Sequence, residues 1–184
     1  ITLAVNILPF QLRDPDFAQR LLKLFGEVRF PPQRLEVEIT ESALLSNLDT
    51  ARSAIISLKN QGVRLSLDDF GTGYSSLHHL RALPFDRIKI DRSFISSLLD
   101  SNDSVAIVTA VLGLGRNLGI EVTAEGIETV EIEQRLRALN CPMGQGWLYS
   151  KPVSSEDALR LLHLSRTVDV AEYAGQKRIV GAGQ

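Results

Sequence analysis

The chain has a single cysteine, Cys141, among its 184 residues. One thiol cannot close an internal disulfide, and the count fits a reducing compartment. Cys141 itself reads as a small buried hydrophobe. No apolar run reaches the roughly 18 residues that a membrane helix needs. The opening ITLAVNILPF has neither a basic n-region nor a small-residue cleavage site, so it does not read as a signal peptide. There is no HxH or HExxH pattern to suggest zinc, and no GxGxxG to suggest a dinucleotide. Strong charge is absent too. Twenty basic and 22 acidic residues give a net charge of -2, with both signs mixed along the chain. Such a surface does not coat a polyanion, so small ligands or protein partners are expected, and no nucleic acid polymer. A starting Met is lacking as well, and the first residues already read as a strand. The expectation is a piece of a larger protein.

What is present is an apolar fraction of 44%, ample for a core in one domain. Ile1 to Leu8 is nearly all apolar, as in a strand buried on both faces. Asp14-Pro15 is expected to start a helix with Phe17, Leu21 and Leu24 on one face and Gly26 as its end. Leu35 to Thr40 alternates as a strand. Ala51, Ile55 and Leu58 mark a helix stopped by Gly62. Val63 to Asp69 and Arg87 to Asp91 read as strands, with a short helix around Leu77, Leu80 and Leu83 between them. A long helix follows, capped by Asp103 or Ser104, with Val105, Val108 and Gly115 on its apolar stripe. Ile120 to Ala124 is a strand, and Thr129 caps the next helix. Met143 to Leu148 is expected as the last strand, and Ser154 with Asp157 as a capping box. Residues 1–164 form the domain in this reading, and 165–184 a tail or linker.

Six repeats of strand then helix define parallel β/α architecture. A doubly wound sheet and a β/α barrel both fit that periodicity. The polar residues favour the barrel, because nearly every strand ends C-terminally in Asp, Glu, Asn, Lys or Gln. Barrels collect site residues from the C-terminal ends of many strands, whereas doubly wound sheets concentrate them at one switch point.

Asp68-Asp69 is the most specific of these tips. Neighbouring carboxylates on a strand normally face opposite ways, but at a strand end both can turn toward one centre. Clustered acids are costly without cations, and an oxygen-rich set suits Mg²⁺ or Mn²⁺. Alone, the pair reads equally as a solvated strand end. Glu38 and Glu125 on other tips turn it into a constellation. Asn6 is either a buried amide or a neutral ligand for the same metal. Lys89 either snorkels or pairs with the acids. Glu128, three residues after Glu125, is an outer partner or a helix N-terminal acid. Gly71 to Ser76 is expected as a mobile loop over the site. His78 and His79 read as surface or packing residues.

The motifs VNILP at 5–9, EITES at 38–42, LDDFGTGYSSL at 67–77, RIKIDRSF at 87–94, AEGIET at 124–129 and QGWLYSKP at 145–152 resemble those of the EAL domain family. Their order and spacing agree from residue 1 to about residue 160. That family hydrolyses cyclic di-GMP to linear pGpG on a modified TIM-like β/α barrel. The resemblance implies first-metal ligands at Asn6, Glu38 and Asp68, and a second site from Asp68, Asp69 and Glu125. Two Mg²⁺ or Mn²⁺ ions would serve a complete site. Lys89 would orient water or substrate, Glu41 would hold the loop after Asp69, and Glu128 and Gln145 would support the site. A bacterial protein is implied, cytoplasmic or the cytoplasmic portion of a membrane-anchored one. Implied partners are cyclic di-GMP, a second copy of the chain through residues around 74–100, and an upstream sensory or diguanylate-cyclase-like domain.

Two departures are notable. Leu8 stands where the family usually has Ser. The family's Glu-Ala-Leu tripeptide precedes the Asn strand and does not occur in this sequence. The resulting expectation is a member lacking its N-terminal segment, with about six of eight strands. Three functions compete: an active phosphodiesterase, a non-catalytic cyclic di-GMP sensor or protein-binding domain, and a generic barrel phosphatase. The last explains the carboxylates but not the order of motifs.

Overall fold

The computed structural model describes residues 1–45, 48–72, 80 and 82–167. Six parallel strands form one sheet in the order in which they occur along the chain. They are β1 (Leu3–Ile7), β2 (Leu35–Thr40), β3 (Arg64–Phe70), β4 (Arg87–Ile90), β5 (Glu121–Ala124) and β6 (Met143–Gly144). A strictly sequential order is that of the barrel-type β/α fold; a doubly wound sheet reverses direction from its first strands. Between the strands lie α1 (Pro9–Leu12), α2 (Phe17–Glu27), α3 (Glu41–Leu45), α4 (Leu48–Asn60), α5 (Arg92–Ser96), α6 (Asn102–Leu118) and α7 (Val130–Ala138). Helix α8 (Ser155–Thr167) follows β6. No helix among the described residues is long and apolar enough to cross a membrane.

One face of the sheet is apolar. Val37, Ile39, Leu65, Leu67, Ile88, Ile90, Val122 and Ala124 are all nearly inaccessible. They pack with Leu44, Ile55, Leu58, Ile95, Val108 and Leu112 from the helices. Side chains alternate along a strand, so the other face carries Glu36, Glu38, Ser66, Asp68, Arg87, Lys89 and Thr123, which are buried as well.

These polar side chains fall into layers. Strand register runs from Glu38 to Ser66 and on to Arg87, yet Glu38 forms its ion pair with Lys89, two residues further along β4. Glu36 likewise pairs with Arg87. The strands therefore tilt by two residues for every two strands crossed, as in barrels whose layers draw on alternate strands. The same rule puts Ala4, Ser66 and Thr123 in one layer, and Asn6, Asp68 and Glu125 in the layer nearest the strand C-termini.

Several local expectations are corrected. Asp14 does not cap α2; its carboxylate accepts the N–H of Asp16, making a turn just before the helix. Gly26 lies inside α2, which continues to Glu27. The cap of α6 is Ser101, whose hydroxyl accepts the N–H of Ser104. Strand β6 has two residues, because the chain turns around Gly146, where Gln145 accepts from Ile127 and Leu148 donates to Ile127. Helix α8 runs from Ser155 to Thr167. The helix expected around Leu77 to Leu83 lies largely outside the described residues, as do 168–184.

Candidate metal and catalytic centre

The site is built on β3. Between Leu67 and Phe70 the register with β4 shifts, so that Asp68 and Asp69 together oppose Lys89. Asp69 takes a left-handed conformation, φ 55°. A bulge of this kind re-aims a side chain, and this one brings two sequence neighbours to one centre. A left-handed non-glycine residue is locally strained, as at many functional sites. Gly71 follows with φ 102°, and a Cβ there would meet the Phe94 ring at 2.8 Å. Only glycine fits that exit from the strand.

Oxygens of Asp68, Asp69 and Glu125 lie within 4.8 Å of one another. Lys89 stands among them. Its Nζ is 2.6 Å from Glu125 Oε1, 2.8 Å from Glu38 Oε2 and 3.3 Å from Asp68 Oδ1. Its side chain is 5% exposed, so the lysine does not snorkel to water. Burial would lower its pKa, but Glu125, Glu38 and Asp68 outweigh that and hold the ammonium well above its usual range. Burial pushes Glu125 up to about 7 against the opposing pull of Lys89. Asp69 is raised by burial first, then by Asp68 and Asp91. A set of carboxylate oxygens this close, with Glu125 and Asp69 raised chiefly by burial, fits a hard divalent cation better than it fits protein groups alone.

The other expected residues lie around this centre. Asn6 is exposed on the edge strand β1, register partner of Glu38 and in the layer of Asp68. Glu41 is buried at the first position of α3. Gln145 ties two tips through its backbone: its N–H donates to Ala124 at 2.8 Å and its carbonyl accepts from Ile127 at 3.0 Å. Glu128 turns to the rim, where it pairs with Arg92 at 2.6 Å. Leu8 is exposed just past β1. Thr72, the one hydroxyl-bearing residue of the expected loop that is described, donates its hydroxyl to the Asp69 carbonyl at 2.9 Å; residues 73–79, with Tyr74, Ser75, Ser76, His78 and His79, lie outside the described residues. Cys141 donates to the Met143 carbonyl, and burial pushes its thiol up, as for an inert packing residue.

Two groups escaped the sequence reading. Arg92 and Lys151 both lie over Trp147, about 5.5 Å and 5.6 Å from its ring centroid. Position alone gave a signal, since Arg92 directly follows a strand-tip aspartate. At the opposite end, Arg87 pairs with Glu36 and Glu121. The alternation Leu-Glu-Val-Glu had already put Glu36 and Glu38 on one face.

A β/α barrel bearing an acidic centre on its strand C-termini is the class this geometry defines. The sequence profile described as EAL domain matches residues 1–152, and the chain belongs to that family. It is 40% identical over 172 residues to the protein y4lL of Sinorhizobium fredii, covering 94% of this chain and 21% of that protein. The chain thus spans about a fifth of that relative's length. A solved structure titled PaMucR Phosphodiesterase, c-di-GMP complex is 36% identical, with TM-score 0.81, over 85% of this chain and 64% of that one. The manganese/cy-diGMP complex of BlrP1 from Klebsiella pneumoniae is 34% identical, with TM-score 0.77, over 82% and 39%.

The profile match begins at residue 1. It overturns the expectation of a member that lacks the family's N-terminal part. That expectation took one tripeptide as the mark of the family, whereas the motifs that carry the match start on β1.

Proposed function

We propose that the chain hydrolyses cyclic di-GMP to linear pGpG, using two divalent cations held at the strand C-termini. The observation that carries this reading is the convergence of Asp68, Asp69 and Glu125 oxygens within 4.8 Å beside Lys89. Support comes from the similar structures of MucR, a c-di-GMP complex, and BlrP1, a manganese/cy-diGMP complex. Asn6, Glu38 and Asp68 would hold one Mg²⁺ or Mn²⁺, and Asp68, Asp69 and Glu125 the other. When bound, the ions lower the pKa of water and offset charge on phosphoryl oxygens.

The chain's own residues have separable tasks. Lys89 supplies an ammonium fixed by three carboxylates, positioned to hold a phosphate oxygen or the attacking water. The water oxygen forms a bond to phosphorus while the bond to the leaving ribose oxygen breaks, and a proton goes to that oxygen. Glu41 and the Gln145 backbone hold the loops that frame the centre. Glu128 keeps Arg92 on the rim. We place the domain at 1–164 and the tail at 165–184. In the whole protein we place a sensory or diguanylate-cyclase-like domain upstream, with pairing of two copies through residues around 74–100, of which 74–79 and 81 lie outside the described residues.

The test is incubation of the purified chain with cyclic di-GMP and Mn²⁺ or Mg²⁺, with nucleotides separated by chromatography. Metal-dependent pGpG, abolished by a chelator, is the expected result. Tight binding without pGpG would replace hydrolysis with the sensor reading.

A further inference from the structure

The layer of Ala4, Ser66 and Thr123 lies between two layers of ion pairs, Glu36–Arg87 below and Glu38–Lys89 above. Barrel layers are usually filled by Val, Ile and Leu. This one has three of the smaller side chains. Ser66 and Thr123 are 0% and 1% exposed, and neither hydroxyl has a hydrogen-bond partner among the described residues. The Nε–H of Arg87, one layer down and the register partner of Ser66, has none either. Buried polar atoms are paired in native proteins, by protein or by ordered water. An apolar residue of the same size would avoid the desolvation cost, so hydroxyls here call for a partner.

We propose that the barrel axis, one layer beneath Lys89, is a built site for ordered water, held by Ser66 Oγ, Thr123 Oγ1 and the Nε–H of Arg87. Water suits the donor set because it accepts from Arg87 and can give to or take from either hydroxyl, reaching the two to four partners a buried water needs. A metal cation is disfavoured between the charges of Arg87 and Lys89. A halide would find donors, but the carboxylates of Glu36 and Glu38 flank the same space. The result is a continuous polar axis from the Glu36–Arg87 pair to the carboxylates of the reaction centre, in a position that barrels fill with hydrocarbon. This inference stands apart from the hydrolytic reading, and its test needs no substrate.

A high-resolution crystal structure of the full chain should show a water within hydrogen-bond distance of both hydroxyls. An anomalous signal there from crystals grown in bromide would identify an anion site and overturn the proposal, as would featureless density. Thr123→Val keeps the shape and removes the hydroxyl. If Thr123 holds water, the melting temperature falls by a few degrees and the water is lost from the crystal. If the hydroxyl has no partner, the substitution is neutral or stabilising, and an unchanged or higher melting temperature overturns the proposal. Ser66→Ala, read the same way, gives a second and independent sign.

Discussion

Lys89 Nζ on β4 and Oε1 of Glu125, the residue just after β5, approach to 2.6 Å at the C-terminal end of the sheet. The contact makes Lys89 a structural cation as well as a candidate for chemistry. Without it, Glu38, Asp68 and Glu125 would face one another in a buried site. Breaking a buried pair by removing one partner costs about 3–5 kcal/mol. Lys89→Ala is therefore expected to destabilise the metal-free chain by an amount of that order. Mn²⁺ should restore much of the loss, since a cation again neutralises the acids. Urea unfolding with and without Mn²⁺ checks both parts; equal stability of variant and wild type in chelator would refute the assigned role.

The pKa of Glu125 at about 7, together with the raised values at Asp69 and Glu36, fixes the sign of a pH effect. These groups bind protons more tightly folded than unfolded. Their contribution to stability is complete below the ordinary carboxylate range and is lost as pH rises toward and through 7. In the metal-free chain the melting temperature should fall across that window. Divalent cations compete with the same protons. The thermal shift produced by Mn²⁺ should therefore be larger at pH 8 than at pH 5.5. A shift that is flat or reversed in pH would count against a metal site built from these carboxylates.

Asp69 combines the bulge with a left-handed backbone. Asn tolerates that conformation as well as Asp does, so Asp69→Asn should leave the fold intact. It also removes a charge that Asp68 opposes. We expect a melting temperature equal to or above wild type in chelator. Metal-dependent turnover should drop by more than the ~10–100-fold typical of groups that only support a ligand. Parallel calorimetry and pGpG assays separate the two effects. Near-normal turnover would remove Asp69 from the centre.

Much of this arrangement was legible in the sequence, for definite reasons. Alternating apolar strands and amphipathic helices gave the sequential β/α order, and acids at 38, 68, 69 and 125 marked one end of it. Local pattern could not give the means by which Asp68 and Asp69 come together. That depends on a register shift against β4, a property of pairing between distant segments. Helices α3 and α5 span five residues each, too short to show a periodic stripe. The snorkelling alternative for Lys89 was open because burial of a lysine is decided by carboxylates from β2, β3 and the residue after β5. The position of Glu128 depended on Arg92, from a different strand tip.

Gly146 provides a test of how the loops at the strand tips hold the centre together. It follows Gln145, and the two backbones around it are latched: Ile127 donates to Gln145, and Leu148 donates to Ile127. A Cβ at Gly146 would lie 2.1 Å from the Ile127 carbonyl oxygen and 2.3 Å from its nitrogen. Those are backbone atoms, which cannot swing aside as a side chain can. Gly146→Ala should therefore push apart the segments carrying Glu125 and Gln145. We expect a lower melting temperature and weaker Mn²⁺ binding together, although no carboxylate has been altered. Gly113→Ala is the matched control. It lies within α6, and nothing stands within 4 Å of a Cβ there. Replacing a helical glycine by alanine gains about 0.8–1.0 kcal/mol of helix propensity. The control should raise stability and leave Mn²⁺ affinity unchanged. Calorimetry and metal titration on the two variants decide the matter. If Gly146→Ala binds Mn²⁺ as tightly as wild type, the latch between residues 127 and 145 does not set the geometry of the centre.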